Sequence, residues 1–429
     1  MTTSYTGYSL NVYYDFDPED GEGMVGRITD DGTTITAVPG LTTFVRTTGG
    51  DPRVAGFVDG SDLRLAAAIR PSTSPRIFDA TSGSTTPVAT PSWPKVANLY
   101  DIQELGGFFY VLDYDNARVV ELDSSYAETL AVFDFAGDAT TGALLAPGDS
   151  AYGQAILNIG GVLYGLFSIT NSSWTTYQNS VLVKFTISNY TSIDVGSTDY
   201  NNGINKNAFA MAVSGSDLYI ACIGGAQANG APNTNSSLDK IAYGASPLNG
   251  ATVTQPVTYA TSGIGYEIRD ISFNGSTAYL LIGSYNGSWV MEGKLIQTTT
   301  SWSSFGVVIN NFTGGVGGNL FAAQYVPDNN RILLALGNDI LYYNAASPLA
   351  PVATLTLTSD LQSGSTYTAL NDLSYVGAQT TLPRRVAGYR SPTQVSLSPR
   401  GIAARALAKG RPELLPEELD ELEALLSEQ

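Results

Sequence analysis

The chain contains no histidine among its 429 residues. That absence excludes Ser-His-Asp triads, Cys-His pairs, histidine-bound zinc or iron and imidazole acid–base catalysis in one step. Cysteine is nearly absent as well: Cys222 stands alone, so no internal disulfide forms, and its place in the apolar run 218–223 reads as a small buried hydrophobe. Positive charge is scarce, with 21 Lys and Arg against 39 acids and a net charge of −18. Such a surface repels nucleic-acid phosphate and anionic headgroups, and neither is expected as a partner. Nowhere do about 18 apolar residues run together, and Met1 does not open a basic stretch followed by an apolar one, so neither membrane insertion nor a signal peptide is expected.

Glycine (45), tyrosine (25) and abundant Thr, Ser and Asn are what the sequence has instead, a composition of strands and tight turns. Residues 99–123, LYDIQELGGFFYVLDYDNARVVELD, read as three short strands with alternating apolar and polar positions. They are 100–105 up to a Gly106-Gly107 turn, 108–112 back to a turn at 113–116, then 117–122. The unit recurs at 53–78, 154–185, 208–241, 267–296 and 320–343. First turns fall near Gly60, Gly106, Gly160, Gly215, Gly275 and Asn329, a spacing of 46 to 60 residues. That period predicts a β-propeller with one four-stranded blade per repeat. A seventh copy is split: 370–376 has the form of a first strand, and 8–14 and 24–29 supply a second and a third. Joining them closes the ring and hides its open edges. The fold class expected is therefore all-β, a seven-bladed propeller over residues 1–379 closed by a composite N- and C-terminal blade.

The run FYVLDYDNARVVELD resembles the repeat of NHL and YVTN-type propellers, and LYIACIGG and RILLALGNDILYYN are weaker versions of it. The resemblance covers roughly residues 8–377. It implies the propeller fold and a tendency towards binding rather than catalysis, and it brings no fixed catalytic residues with it.

Composition changes after residue 379. Residues 384–411 carry basic side chains and no acids, whereas 413–428 carry acids and no bases. A short helix is expected at 402–408 and a second from Pro416 to Ser427, whose Leu415, Leu419, Leu422 and Leu426 form one apolar stripe. Segment 380–429 reads as a basic linker and an amphipathic acidic helix, for docking onto a protein partner or for self-assembly, or else folded back on the propeller base.

Three groups of residues are candidates for a site. Asp101, Asp270 and Asp372 occupy the same position of the first strand in three blades. They either converge on a cation or sugar in the central channel or accept backbone hydrogen bonds that hold blades together. Asp15, Asp17 and Asp20, with Glu19 and Glu22, lie in YDFDPEDGEG, where alternating carboxylates suit Ca²⁺ or simply a solvated acidic turn. Trp174 sits in ITNSSWTTYQNS, a loop longer than its equivalents, and an aromatic edged by Asn and Ser suits a sugar ring or packing between blades. No catalytic set emerges. The function expected is a binding or structural propeller, an extracellular, cell-surface or virion component that presents loops to a glycan or protein. The alternative is a carbohydrate-active enzyme using channel carboxylates. No cofactor other than Ca²⁺ is expected.

Overall fold

The computed structural model describes residues 3–14, 17–45, 52–226, 230–287, 290–316, 320–337, 339–357, 367–376 and 385–386. They form seven sheets of up-and-down antiparallel strands set around an axis, a seven-bladed propeller, with a separate two-stranded ribbon, Thr186–Ser188 and Ser192–Asp194, in the connection between the third and fourth strands of blade 3. From the axis outwards, blade 1 is Pro52–Asp59, Asp62–Ile69 and Arg76–Asp79, and blade 2 is Leu99–Leu105, Phe108–Asp113, Arg118–Leu122 and Glu128–Asp134. Blade 3 is Asp149–Ile159, Val162–Asn171, Asn179–Lys184 and Tyr200–Lys206; blade 4 is Ala208–Ser214, Asp217–Cys222, Ser237–Ala242 and Thr254–Thr258. Blade 5 is Ile268–Asn274, Thr277–Tyr285, Val290–Thr299 and Val307–Val316, and blade 6 is Leu320–Val326, Arg331–Gly337, Asp339–Asn344 and Pro351–Thr356. Among the described residues there is no α-helix.

Blade 7 is the composite. Its inner strand Tyr367–Val376 pairs with Ser4–Tyr14, which pairs with Asp17–Asp30 and through it with Ile35–Val45. The ring is thus closed by hydrogen bonds between the two ends of the chain. On its axial edge Tyr367–Val376 also pairs with Arg385–Val386, so the sheet continues past residue 379 and brings that short segment to the channel wall. The helix expected to carry Leu415, Leu419, Leu422 and Leu426 lies outside the described residues.

Gly60, Gly106, Gly160, Gly215 and Gly275, which the spacing marked as first turns, all have positive φ, as does Asn330 beside Asn329. At the five glycines this is the left-handed backbone that two-residue hairpins demand, and at Asn330 it ends the 3-10 turn Pro327–Asn329. The strands themselves differ from the simple alternation expected. Second strands are buried along almost their whole length: in Val162–Asn171 and Thr277–Tyr285 every position between the first and last is buried. The reason is architectural, since each blade packs on a neighbour at both faces. Seven separate apolar clusters follow, one at each junction of adjacent blades; Phe133, Phe167 and Phe185 centre the junction of blades 2 and 3. Cys222 is among the buried residues of the junction of blades 3 and 4.

Close packing leaves some positions only to glycine. Gly293 and Gly283 face each other in the second and third strands of blade 5. A Cβ on Gly293 would lie 2.1 Å from the Ile282 carbonyl oxygen and 2.7 Å from the Phe312 ring. Gly293→Ala is expected to force the two strands apart and cost about 1–3 kcal/mol, read as a lowered midpoint in urea unfolding. An unchanged midpoint would contradict this packing.

Candidate functional site

Five of the seven inner strands contain a bulge, at their second residue in three and in mid-strand in two, and it re-aims the side chain that follows. Tyr100, Arg269 and Asn371 are the bulged residues ahead of Asp101, Asp270 and Asp372. All three aspartates are buried, at 1%, 3% and 1% exposure. Each accepts the N–H of the residue after it: Ile102 at 2.8 Å, Ile271 at 2.8 Å and Leu373 at 3.1 Å. The second carboxylate oxygen reaches the next blade in two cases. Asp270 Oδ2 accepts Ala323 N–H at 3.0 Å, and Asp372 Oδ2 accepts Val54 N–H at 3.4 Å.

Two residues further on, a second polar side chain repeats the move. Ser272 Oγ accepts Tyr325 N–H at 3.0 Å, Ser374 Oγ accepts Gly56 N–H at 2.7 Å, and Gln103 Oε1 accepts Asn158 N–H at 3.4 Å. An Asp-Ile/Leu-Ser/Gln triplet therefore imitates a strand edge, satisfying alternate amides of a neighbouring strand too far away to pair directly. Between blades 3 and 4 and between 4 and 5, serines do similar work: Ser180 Oγ accepts Ala208 N–H at 3.0 Å and Ser236 Oγ accepts Ile268 N–H at 2.8 Å. For Asp270 and Asp372 these contacts link neighbouring blades, and Asp101 accepts an N–H of its own strand. Burial raises the Asp270 carboxyl to about 8, against the pull of its two N–H donors.

The acidic stretch at 15–22 has a backbone other than the expected turn. Strand Asp17–Asp30 begins inside it, so Asp17, Glu19, Asp20 and Glu22 lie along an extended strand. Asp15 lies outside the described residues, as do the side chains of Asp17 and Asp20. Among the described residues no group of three or more His, Cys, Asp or Glu side chains could hold a metal ion.

Trp174 is the turning point of a rigid loop. It has a left-handed backbone, φ +58°, and Asn171 braces the loop by accepting Thr175 N–H at 2.9 Å and Thr176 N–H at 3.1 Å. One face of the indole is taken by Tyr152, with ring centroids 4.3 Å apart, and Tyr152 continues through Tyr114 to Tyr100. The half-buried indole thereby joins an aromatic row packed on the core between blades 2 and 3, which continues through it to Tyr177 at 6.5 Å.

Just beyond it the surface opens into a cleft of about 700 Å³ that nothing in the sequence marked out. Its walls are the Trp174 loop (Thr175, Thr176, Tyr177), the end of the outer strand of blade 3 (Asn205, Lys206) and the excursion between the second and third strands of blade 4 (Gly224–Ala226, Asn233–Ser236), with Gln255 and Thr258. The connections of blades 3 and 4 that flank it are the longest between second and third strands in the ring. Both emerge on the face where the inner strands begin, because up-and-down strands bring every second-to-third connection there.

An amide network fixes the floor. Asn205 donates from Nδ2 to the Asn235 carbonyl and to Ser237 Oγ, both at 2.7 Å, and its N–H reaches Asp239 Oδ2 at 2.7 Å. Asn233 donates its N–H to Glu267 Oε1 at 3.0 Å and accepts Asn235 N–H at 3.0 Å. Glu267 is in turn paired with Arg269 at 2.5 Å, the two at 2% and 0% side-chain exposure. Arg269 Nε donates to the Gly283 carbonyl at 2.6 Å, and its guanidinium lies over the Tyr285 ring. This buried pair was missed in the sequence; the only trace was an Arg preceding Asp270 in a first strand.

No protein-family model and no curated protein matches the sequence. Solved structures resemble it in fold. A functionally unknown protein from Desulfotomaculum acetoxidans aligns with a TM-score of 0.47 and 10% identity over 85% of this chain and 98% of its own. The Dos1 propeller aligns at 0.43 and 13% over 74% of each. The β-propeller domain of Cps50 (Swd1) from Myceliophteria thermophila aligns at 0.43 and 9%, over 76% of this chain and 93% of its own.

Proposed function

We propose that the protein is a non-enzymatic binding propeller, an extracellular, cell-surface or virion component. The ring is scaffold, and the long connections of blades 3 and 4 present a recognition surface to a glycan or protein. The observation that carries this reading is the cleft itself: a polar concavity whose wall is pre-organised by hydrogen bonds, on the face where the longest loops gather. Histidine is absent. The three inner-strand aspartates accept backbone N–H groups, which disfavours a pair of carboxylates flanking a glycosidic bond.

Residues 380–429 are assigned the tethering or assembly role, through the stripe Leu415, Leu419, Leu422 and Leu426. A chain ending at Gln379 is expected to keep the melting temperature of the ring within a few degrees and to lose self-association in light scattering. Association that survives the truncation would move assembly onto the blades. Loss of the fold would show that the ring depends on the pairing of Arg385–Val386 with blade 7.

A further inference from the structure

The chemistry of the cleft wall narrows what it can hold. Amides and hydroxyls dominate it, from Asn205, Asn233, Asn235, Gln255, Thr176 and Thr234. Apart from Tyr177 and Ala226, such a wall offers an apolar side chain or a lipid chain little to bury against, whereas a ligand with hydroxyls on every face matches it. Its charge is more telling. Of the residues lining the cleft only Lys206 is ionised, and it is exposed, in a chain where acids outnumber bases 39 to 21.

The two carboxylates behind the wall are turned inwards and occupied. Asp239 is fully buried and accepts Asn205 N–H, Ser237 Oγ at 2.6 Å and Gln255 Nε2 at 3.1 Å. Glu267 accepts Asn233 N–H on one oxygen and Arg269 on the other. Both are held by hydrogen bonds within the protein, and Lys206 is the one charged side chain among the residues that line the cleft.

Resting on the binding function proposed above, we infer that the cleft is a saccharide site selective for glycans that carry a carboxylate, a uronic or sialic acid unit, with Lys206 meeting the acid and the amide floor meeting the hydroxyls. A neutral sugar of the same size gains the hydroxyl contacts without the charge-assisted one. The field of the remaining acids repels anions at long range, so the selectivity is local.

The test is a panel of neutral, uronate-bearing and sialylated oligosaccharides titrated against the full chain, Lys206→Gln and Thr234→Trp. Position 234 is exposed on the wall, and the indole is expected to fill the cleft. Expected results are binding of acidic members at least tenfold tighter than neutral ones, a tenfold loss for K206Q confined to acidic members, and loss of all binding for T234W, with melting temperatures unchanged in both variants. Equal affinity for neutral and acidic members, or K206Q without effect, would overturn the selectivity and leave the binding function standing. Glycan binding unaltered by T234W would overturn the site. No glycan bound by the wild-type chain would overturn the inference, and a protein ligand blocked by T234W would then retain the binding reading, which fails if neither class binds.

Discussion

Replacing Arg269 by Met is expected to destabilise the ring by about 3–5 kcal/mol. The guanidinium is fully buried between the Glu267 carboxylate and the Gly283 carbonyl. Removing it leaves Glu267 as an uncompensated buried charge, and the carboxylate cannot be rehydrated without opening the junction of blades 4 and 5. Because Glu267 also holds Asn233 of the cleft wall, the variant is expected to lose ligand binding along with stability. Urea unfolding checks the first effect. The double variant Glu267→Gln, Arg269→Met removes both charges and is expected to recover most of the loss, since the charge left unpaired is what costs. A single variant as stable as wild type would mean the pair is solvated.

Asp270 gives the second large effect, through pH. Folding carries its carboxyl from the ordinary 3.8 to about 8, so between those values the folded chain holds a proton that the unfolded chain has released. Stability from this group is fully present below about pH 4 and is lost as pH rises towards 8. Burial also raises Asp113 and Asp239, adding to the same slope. Asp31 and Asp123, lowered by backbone and side-chain hydrogen bonds, act oppositely, and their share is lost only as pH falls below the usual carboxylate range. The melting temperature is therefore expected to peak on the acid side of neutrality and fall from pH 5 to 8. Asp270→Asn flattens that fall. It also lowers stability at pH 5 by about 1–3 kcal/mol, because one amide oxygen cannot accept both Ala323 and Ile271 N–H. A wild-type profile that rises from pH 5 to 8 would show the carboxylate ionised throughout.

The ring was legible in the sequence because its signals are local. A Gly at a first turn, a strand of fixed length and a repeat near fifty residues each reflect one hairpin, and Leu370 with Tyr8 announced the composite blade by the halves each lacked. The inter-blade contacts of Asp270 and Asp372 were legible only as one of two options. Choosing between them needed the distance from one inner strand to the next, which no repeat encodes. Arg269 with Glu267 and the cleft around Asn205 and Lys206 were not legible. The cleft joins residues from different blades, whereas the pair sits two residues apart in one blade and shows only through its burial, and polar residues in loops look alike whether they line a floor or face solvent. Trp174 drew notice for its long loop; its indole packs on Tyr152, and the cleft lined by amides lies beside it.

The most direct measurement of whether the ring is scaffold and the loops recognise is a paired one, the affinity for acidic oligosaccharides and the melting temperature of Asp270→Asn and Thr234→Trp. The expected result is a clean exchange: D270N melts lower and binds as wild type, and T234W melts as wild type and does not bind. Loss of binding in D270N at a temperature where it is fully folded, with binding retained in T234W, would contradict it and return the function to the channel.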